Sequence, residues 1–306
     1  MRFRGIALIL LCIGAIGVRA QTDASGSPRF RADSTLVLVP VAVTDAANRY
    51  VLGLEKGNFK LTEDGTEQTI AHFSAEDAPL SVGLIVDVSG SIGAKLATSR
   101  QAVREFLKTL NAGDEAFLVE CSDQAELTLR FTQDTGVIEQ KLGAATSGGL
   151  TALLDAVHLG LQEMKNAKNP RKALLIISDG GENNSQFTSK QIEGLVREAD
   201  VQIYAMGVFE PITIALSVAE IGGPRVLSEI SEQTGGRALA APNLKELPGI
   251  AARIGLELRN QYVLAYSPTN RTRDGAYRKV QVKLLPPPEL PPLKARWRLG
   301  YYAPSE

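Results

Sequence analysis

Two periodicities divide the chain. From Leu36 to Phe73, and again after Asn260, the chain reads as short strands, and Phe59 to Glu63 and Gln68 to Phe73 alternate polar and apolar residues, the mark of half-buried strands. Between them, near-continuous apolar runs alternate with stretches of helical period. Leu80 to Val86 and Lys172 to Ser178 are apolar enough to be strands covered on both faces. Ala94 to Leu110 repeats Leu96, Val103, Phe106, Leu107 and Leu110 on one helical face, and Leu153 to Lys165 does so with Leu154, Val157, Leu161 and Met164. Glu115 to Cys121 and Glu126 to Phe131, joined by a short turn, are expected to pair antiparallel.

The remaining elements follow the same logic. Val137 to Leu142, Ser189 to Glu198, Val226 to Gln233 and Leu244 to Leu258 are expected helices, the last weakened by Pro248 and Gly249. Val201 to Val208 is an expected strand and Arg237 to Leu239 an edge strand. Phe209 to Gly223 has no clear period and reads as an excursion. Strands alternating with helices predict an α/β fold: a doubly wound, mostly parallel sheet with helices on both faces.

The flanks are all-β. Leu36 to Val43 is a strand in which Pro40 suggests an edge or a bulge. Asp64-Gly65, between Phe59 to Glu63 and Gln68 to Phe73, is a hairpin signal. Gln261 to Tyr266, Tyr277 to Leu285 and Leu293 to Tyr302 are strands, with Asp274-Gly275 as a further hairpin turn. Either flank alone is too small to bury a core. Together they predict a small sandwich, 34–78 plus 260–306, with the α/β domain, 79–259, inserted between its halves.

Composition adds little to this and excludes some functions. Hydrophobic content of 44% and charged content of 22% are those of a globular chain. A net charge of -1 supplies no general attraction to nucleic acid. Residues 1–20 have the form of a signal peptide: Arg2 and Arg4, an apolar core from Ile6 to Val18, then Val18-Arg19-Ala20. The separated arginines indicate general secretion, and residues 21–33 form a polar linker expected to be disordered. The mature chain is thus expected to be secreted or periplasmic, with no transmembrane segment. Cleavage removes Cys12 and leaves Cys121 alone on a strand, as a small buried hydrophobe.

The candidate chemistry lies at strand ends. Asp87, Ser89 and Ser91 follow the strand Leu80 to Val86, and Gly90 and Gly93 permit a tight turn around them. Open α/β sheets place ligand sites at the carboxyl ends of strands. Carboxylate and hydroxyl oxygens are hard donors, suited to Mg²⁺, Mn²⁺ or Ca²⁺.

Asp87-Val88-Ser89-Gly90-Ser91 resembles the D-x-S-x-S opening of von Willebrand factor A-type domains, the domain also used by integrins. Gly148 to Leu153 resembles that family's threonine loop, and Ile176 to Gly180 its second strand ending in an aspartate. The resemblance spans roughly Leu80 to Asn260, and the whole chain is similar to bacterial secreted proteins that wrap such a domain in short β segments. It implies a metal-ion-dependent adhesion site in which Ser89 and Ser91 bind the cation directly. Thr151, Asp87 and Asp179 would bind it directly or through water. The implied cation is Mg²⁺ first, with Mn²⁺ or Ca²⁺ possible. The implied partner is a protein presenting Asp or Glu to a coordination position left to it. In integrin-like relatives the last helix responds to that ligand, and here this helix runs into the flanking strand at Gln261.

Enzyme readings lack parts. His72 and His158 have no evident nucleophile beside them, and no G-x-S-x-G or phosphate-loop motif occurs. The alternatives to a non-catalytic binding module are a metal-dependent hydrolase, with Glu182 as its one nearby base, and a structural envelope component with a vestigial site.

Overall fold

The computed structural model describes residues 36–207 and 218–305, the side chains of 218–224 excepted. The expected signal peptide, the linker and residues 209–217 of the excursion lie outside the described residues.

Six strands build the central sheet: β5 (Leu80–Asp87), β6 (Glu115–Cys121), β7 (Ala125–Thr132), β8 (Arg171–Ser178), β9 (Gln202–Gly207) and β10 (Arg237–Ala240). Their order is β10-β9-β8-β5-β6-β7, parallel throughout except for β7, which pairs antiparallel with β6. β5 and β8 lie at the centre and are buried along nearly their whole length. That is why both read as unbroken apolar runs.

Helices cover both faces. On one, residues of α1 (Leu96–Leu107), α2 (Thr135–Ala144) and α6 (Leu247–Arg259) share one core with Val82, Leu84 and Val86 of β5. On the other, residues of α3 (Leu153–Glu163), α4 (Ser189–Glu198) and α5 (Val218–Gln233) share one core with Ile85, Phe117, Leu174 and Ile176. Alternate residues of β5 thus serve opposite cores, as the period of a strand requires. Gly83 lets the second core close: a Cβ there would lie 2.2 Å from Phe117 Cζ and 2.4 Å from Leu174 Cδ2. α4 begins on a capping box between Thr188 and Gln191.

Both flanks contribute to two further antiparallel sheets. One has the order β13-β1-β11-β4, from Lys294–Trp297, Val37–Thr44, Gln261–Tyr266 and His72–Ser74. The other has the order β14-β12-β2-β3, from Gly300–Tyr302, Tyr277–Leu284, Phe59–Glu63 and Thr66–Gln68. They share one core, in which Val39, Val41, Tyr262 and Leu264 meet Phe59, Leu61, Val280 and Val282. Glu63 Oε2, buried inside it, accepts hydrogen bonds from Tyr266 at 2.7 Å and Tyr301 at 2.8 Å. No helix among the described residues is long and apolar enough to cross a membrane.

Several local expectations are corrected. β1 is an interior strand, although its ladder to β13 starts only at Val41, so Pro40 faces a partner on one side alone. Leu293 to Tyr302 is not one strand but two, β13 and β14, in different sheets. The run after Asp64-Gly65 divides likewise: β3 completes the hairpin, and β4 joins the opposite sheet. Asp64 and Gly65 both have positive φ, 48° and 83°, as a type I′ turn demands. Asp274-Gly275 does not close a hairpin between β11 and β12, which lie in different sheets; Asp274 bridges to Ser305. Helix α5 starts at Val218 rather than Val226, running through the Gly222-Gly223-Pro224 sequence that hides its period. Pro248 sits in the first turn of α6, where a missing N–H costs no helical hydrogen bond.

Candidate functional site

Asp87 ends β5, and Asp179 follows the last residue of β8, so both stand at the carboxyl edge of the sheet. Asp87 has no solvent exposure. Its Oδ1 accepts the Ser89 N–H at 2.9 Å, and its Oδ2 accepts the Ser178 hydroxyl at 2.6 Å. Burial pushes the Asp87 carboxyl above its ordinary range. The hydrogen bonds from Ser178 and Ser89 oppose that push, and the charge of Asp179 adds to it.

The D-x-S-x-S turn brings its hydroxyls together. Ser89 Oγ and Ser91 Oγ are 3.1 Å apart, the first buried and the second exposed. Two backbone bonds fasten this turn to the threonine loop: Gly90 N–H to Gly149 O at 3.0 Å, and Gly148 N–H to Val88 O at 2.9 Å. The contact is close enough that a Cβ on Gly90 would lie 3.1 Å from Gly149 O. Gly149 has φ +78°, and its Cα abuts the Asp123 carboxylate, which accepts the Leu150 N–H at 2.7 Å.

Thr151 is fastened on its other side to the loop after β8. Its N–H donates to Asn183 Oδ1 at 2.8 Å, and its carbonyl accepts the N–H groups of Asn183 and Asn184, each at 3.1 Å. Asp179 Oδ1 accepts the Gly181 N–H at 3.1 Å. A Cβ on Gly181 would lie 3.2 Å from Asp179 Oδ1 and 3.5 Å from Thr151 Oγ1, so these two oxygens flank one small space. Lys95 approaches from the start of α1, its Nζ 3.9 Å from Asp179 Oδ2.

Asp87, Ser89, Ser91, Thr151 and Asp179 therefore all belong to three loops bonded to one another at one edge of the sheet. As donors they are two carboxylates and three hydroxyls, a hard-oxygen set that fits a small divalent cation. No group of three or more His, Cys, Asp or Glu side chains suited to a metal occurs among the described residues; the candidate set relies on hydroxyls instead.

Glu182 is not a free base. Its Oε2 accepts the Leu154 N–H at 2.9 Å and the Ser185 hydroxyl at 2.7 Å, and its Oε1 accepts the Ser185 N–H at 2.9 Å. It anchors the start of α3, where a carboxylate also suits the helix dipole. Cys121 is fully buried, and burial raises its thiol far above the reactive range. His158 packs against Phe187 with ring centroids 4.1 Å apart, and His72 is exposed on β4. Ser178 and Lys95 were not expected from the sequence, and Asn183, which follows Asp179 closely enough to tune the rim, reads there as an ordinary polar loop residue; their roles rest on contacts distant in sequence. The nearness of Ser178 and Asn183 to Asp179 was the local signal.

Residues 82–182 match the family model of the von Willebrand factor type A domain. An uncharacterized protein of Borreliella burgdorferi is 23% identical over 193 residues, which is 56% of this chain and 55% of that protein. The chain thus spans about half the length of this curated relative. Among solved structures, von Willebrand factor type A from Catenulispora acidiphila superposes with a TM-score of 0.52 at 12% identity, over 90% of this chain and 74% of that one. The vWF domain of the type V pili tip protein Mfa5 from Porphyromonas gingivalis gives 0.47 at 14% identity, over 60% and 95%. The sheet that carries the candidate site has the von Willebrand factor type A fold.

Proposed function

We propose that the chain is a secreted or periplasmic protein-binding module that captures a partner's Asp or Glu through a divalent cation, and that it performs no catalysis. The observation that carries this reading is the bonding of three loops into one unit: Gly90 to Gly149, Asn183 to Thr151, and Ser178 to Asp87. Such bonding ties together the segments that carry the five proposed donors, and preorganisation of that kind lowers the cost of binding.

In this reading Ser89 and Ser91 hold the cation directly, and Thr151, Asp87 and Asp179 complete its surroundings directly or through water. Mg²⁺ is the first choice, with Mn²⁺ or Ca²⁺ able to substitute. When bound, the cation supplies a Lewis-acid centre for a carboxylate. The protein's part is to keep the site short of negative charge: three of the five donors are neutral. A cation facing only two carboxylates retains affinity for a third. Similarity in fold to von Willebrand factor type A domains agrees with an interaction role.

The hydrolase alternative requires a base, and Glu182 is committed to α3. Titration calorimetry with Mg²⁺ or Mn²⁺ tests the proposal. Wild type is expected to give a saturable binding heat that Asp87→Ala lacks; equal heats from the two proteins contradict it.

A further inference from the structure

Lys95 occupies an unusual place. It immediately precedes α1, whose first turn has no acidic residue, so its charge meets the positive end of the helix dipole. Its side chain is only 14% exposed, and the Asp179 side chain it faces is only 11% exposed. A lysine serving solubility would extend its ammonium into water. Here the ammonium turns toward the carboxylate of a candidate metal ligand, at 3.9 Å.

Resting on the metal-site reading above, we infer that Lys95 is a built-in counter-charge that weakens the site's own hold on a divalent cation and makes the loaded site an anion receptor. The charge balance shows how. With both carboxylates ionised, Asp87, Asp179 and Lys95 sum to one negative charge. A divalent cation turns that to one positive charge, and a partner's carboxylate brings it to zero. Without Lys95 the loaded site would already be neutral, and an arriving carboxylate would leave it negative. Lys95 thus trades affinity for the metal alone against attraction for the metal together with an anion. No ammonium needs to move: a fixed unit charge suffices where the Lys95 and Asp179 side chains are this poorly exposed.

The test is Mn²⁺ binding followed by the electron paramagnetic resonance signal of the free ion, on the full mature chain. Wild type, Lys95→Met, which keeps the length of the stem, and Lys95→Arg, which keeps the charge, are compared. Circular dichroism melts establish that each variant is folded. Lys95→Met is expected to bind Mn²⁺ about tenfold more tightly or better, as removal of a unit charge beside a divalent ion implies, with Lys95→Arg close to wild type. Equal or weaker binding by a folded Lys95→Met, with wild type binding normally, overturns the inference and leaves the metal site standing. Binding by Lys95→Arg as tight as that of Lys95→Met overturns it too, since charge would not be the cause. No binding by wild type or either variant overturns both this inference and the metal site.

Discussion

The Ser178 hydroxyl donates to Asp87 Oδ2 at 2.6 Å where the central strands β8 and β5 run side by side, and neither residue has any exposure to solvent. This contact on Oδ2 and the Ser89 N–H on Oδ1 together fix the orientation of the carboxylate on which the D-x-S-x-S turn is built. The carboxylate is held but not favoured, since burial is the largest influence on it and disfavours its charge. Its folded pKa lies above the ordinary 3.8. Stability from this group is then full below that ordinary value and is lost as pH rises through the raised one.

At neutral pH, Asp87 thus costs stability in the metal-free protein. Asn in its place would still accept from Ser89 N–H and could donate to Ser178. In EDTA at pH 7, Asp87→Asn is expected to melt a few degrees above wild type, about 2–4 °C per kcal/mol relieved in a domain of this size. The difference should shrink as pH falls toward 4. Calorimetric melts across that range measure it, and a lower melting point for the variant at pH 7 would contradict it.

Asn183 carries a different prediction. Its side chain is exposed, yet it accepts the N–H of Thr151 at 2.8 Å. Asn183→Ala should weaken Mn²⁺ binding by about 10–100-fold, the usual effect of losing a group that orients a metal ligand. Its melting temperature without metal should stay close to wild type. Mn²⁺ titration beside a melt separates the two effects.

Glu257 ties the last helix to both flanks. Fully buried on α6, it accepts from Tyr204 on β9 and Tyr50 of the first flank, each at 3.2 Å, pairs with Arg237 on β10, and lies 3.8 Å from Arg296 on β13. Glu257→Ala leaves Arg237 without its carboxylate and should cost about 3–5 kcal/mol, read by urea denaturation. Since Asn260 alone separates α6 from β11, a shift of this helix on ligand binding would carry the sandwich with it. Distance labels on the sandwich and the central sheet should then report the shift in wild type, and a smaller one in Glu257→Gln.

The central sheet was legible in the sequence because burial on both faces writes unbroken apolar runs, as in Leu80 to Val86. The spacing of Asp87, Ser89 and Ser91 was legible because a turn is local. The pairing of the flanks was legible only in outline. Alternation in β3, β4, β13 and β14 has the same period whichever sheet a strand joins, so the change of sheet near Arg298 left no trace. The start of α5 was hidden because Gly222-Gly223-Pro224 reads as a break. Lys95 was hidden for another reason: its partner Asp179 follows β8, far along the sequence, and only the fold brings the two within 3.9 Å.

Anomalous diffraction from crystals grown or soaked with Mn²⁺ locates the cation outright. One strong peak is expected at the carboxyl edge of the sheet, in contact with Ser89 Oγ and Ser91 Oγ and bordered by Thr151, Asp87 and Asp179. A peak elsewhere, or no peak at a saturating concentration, would contradict it.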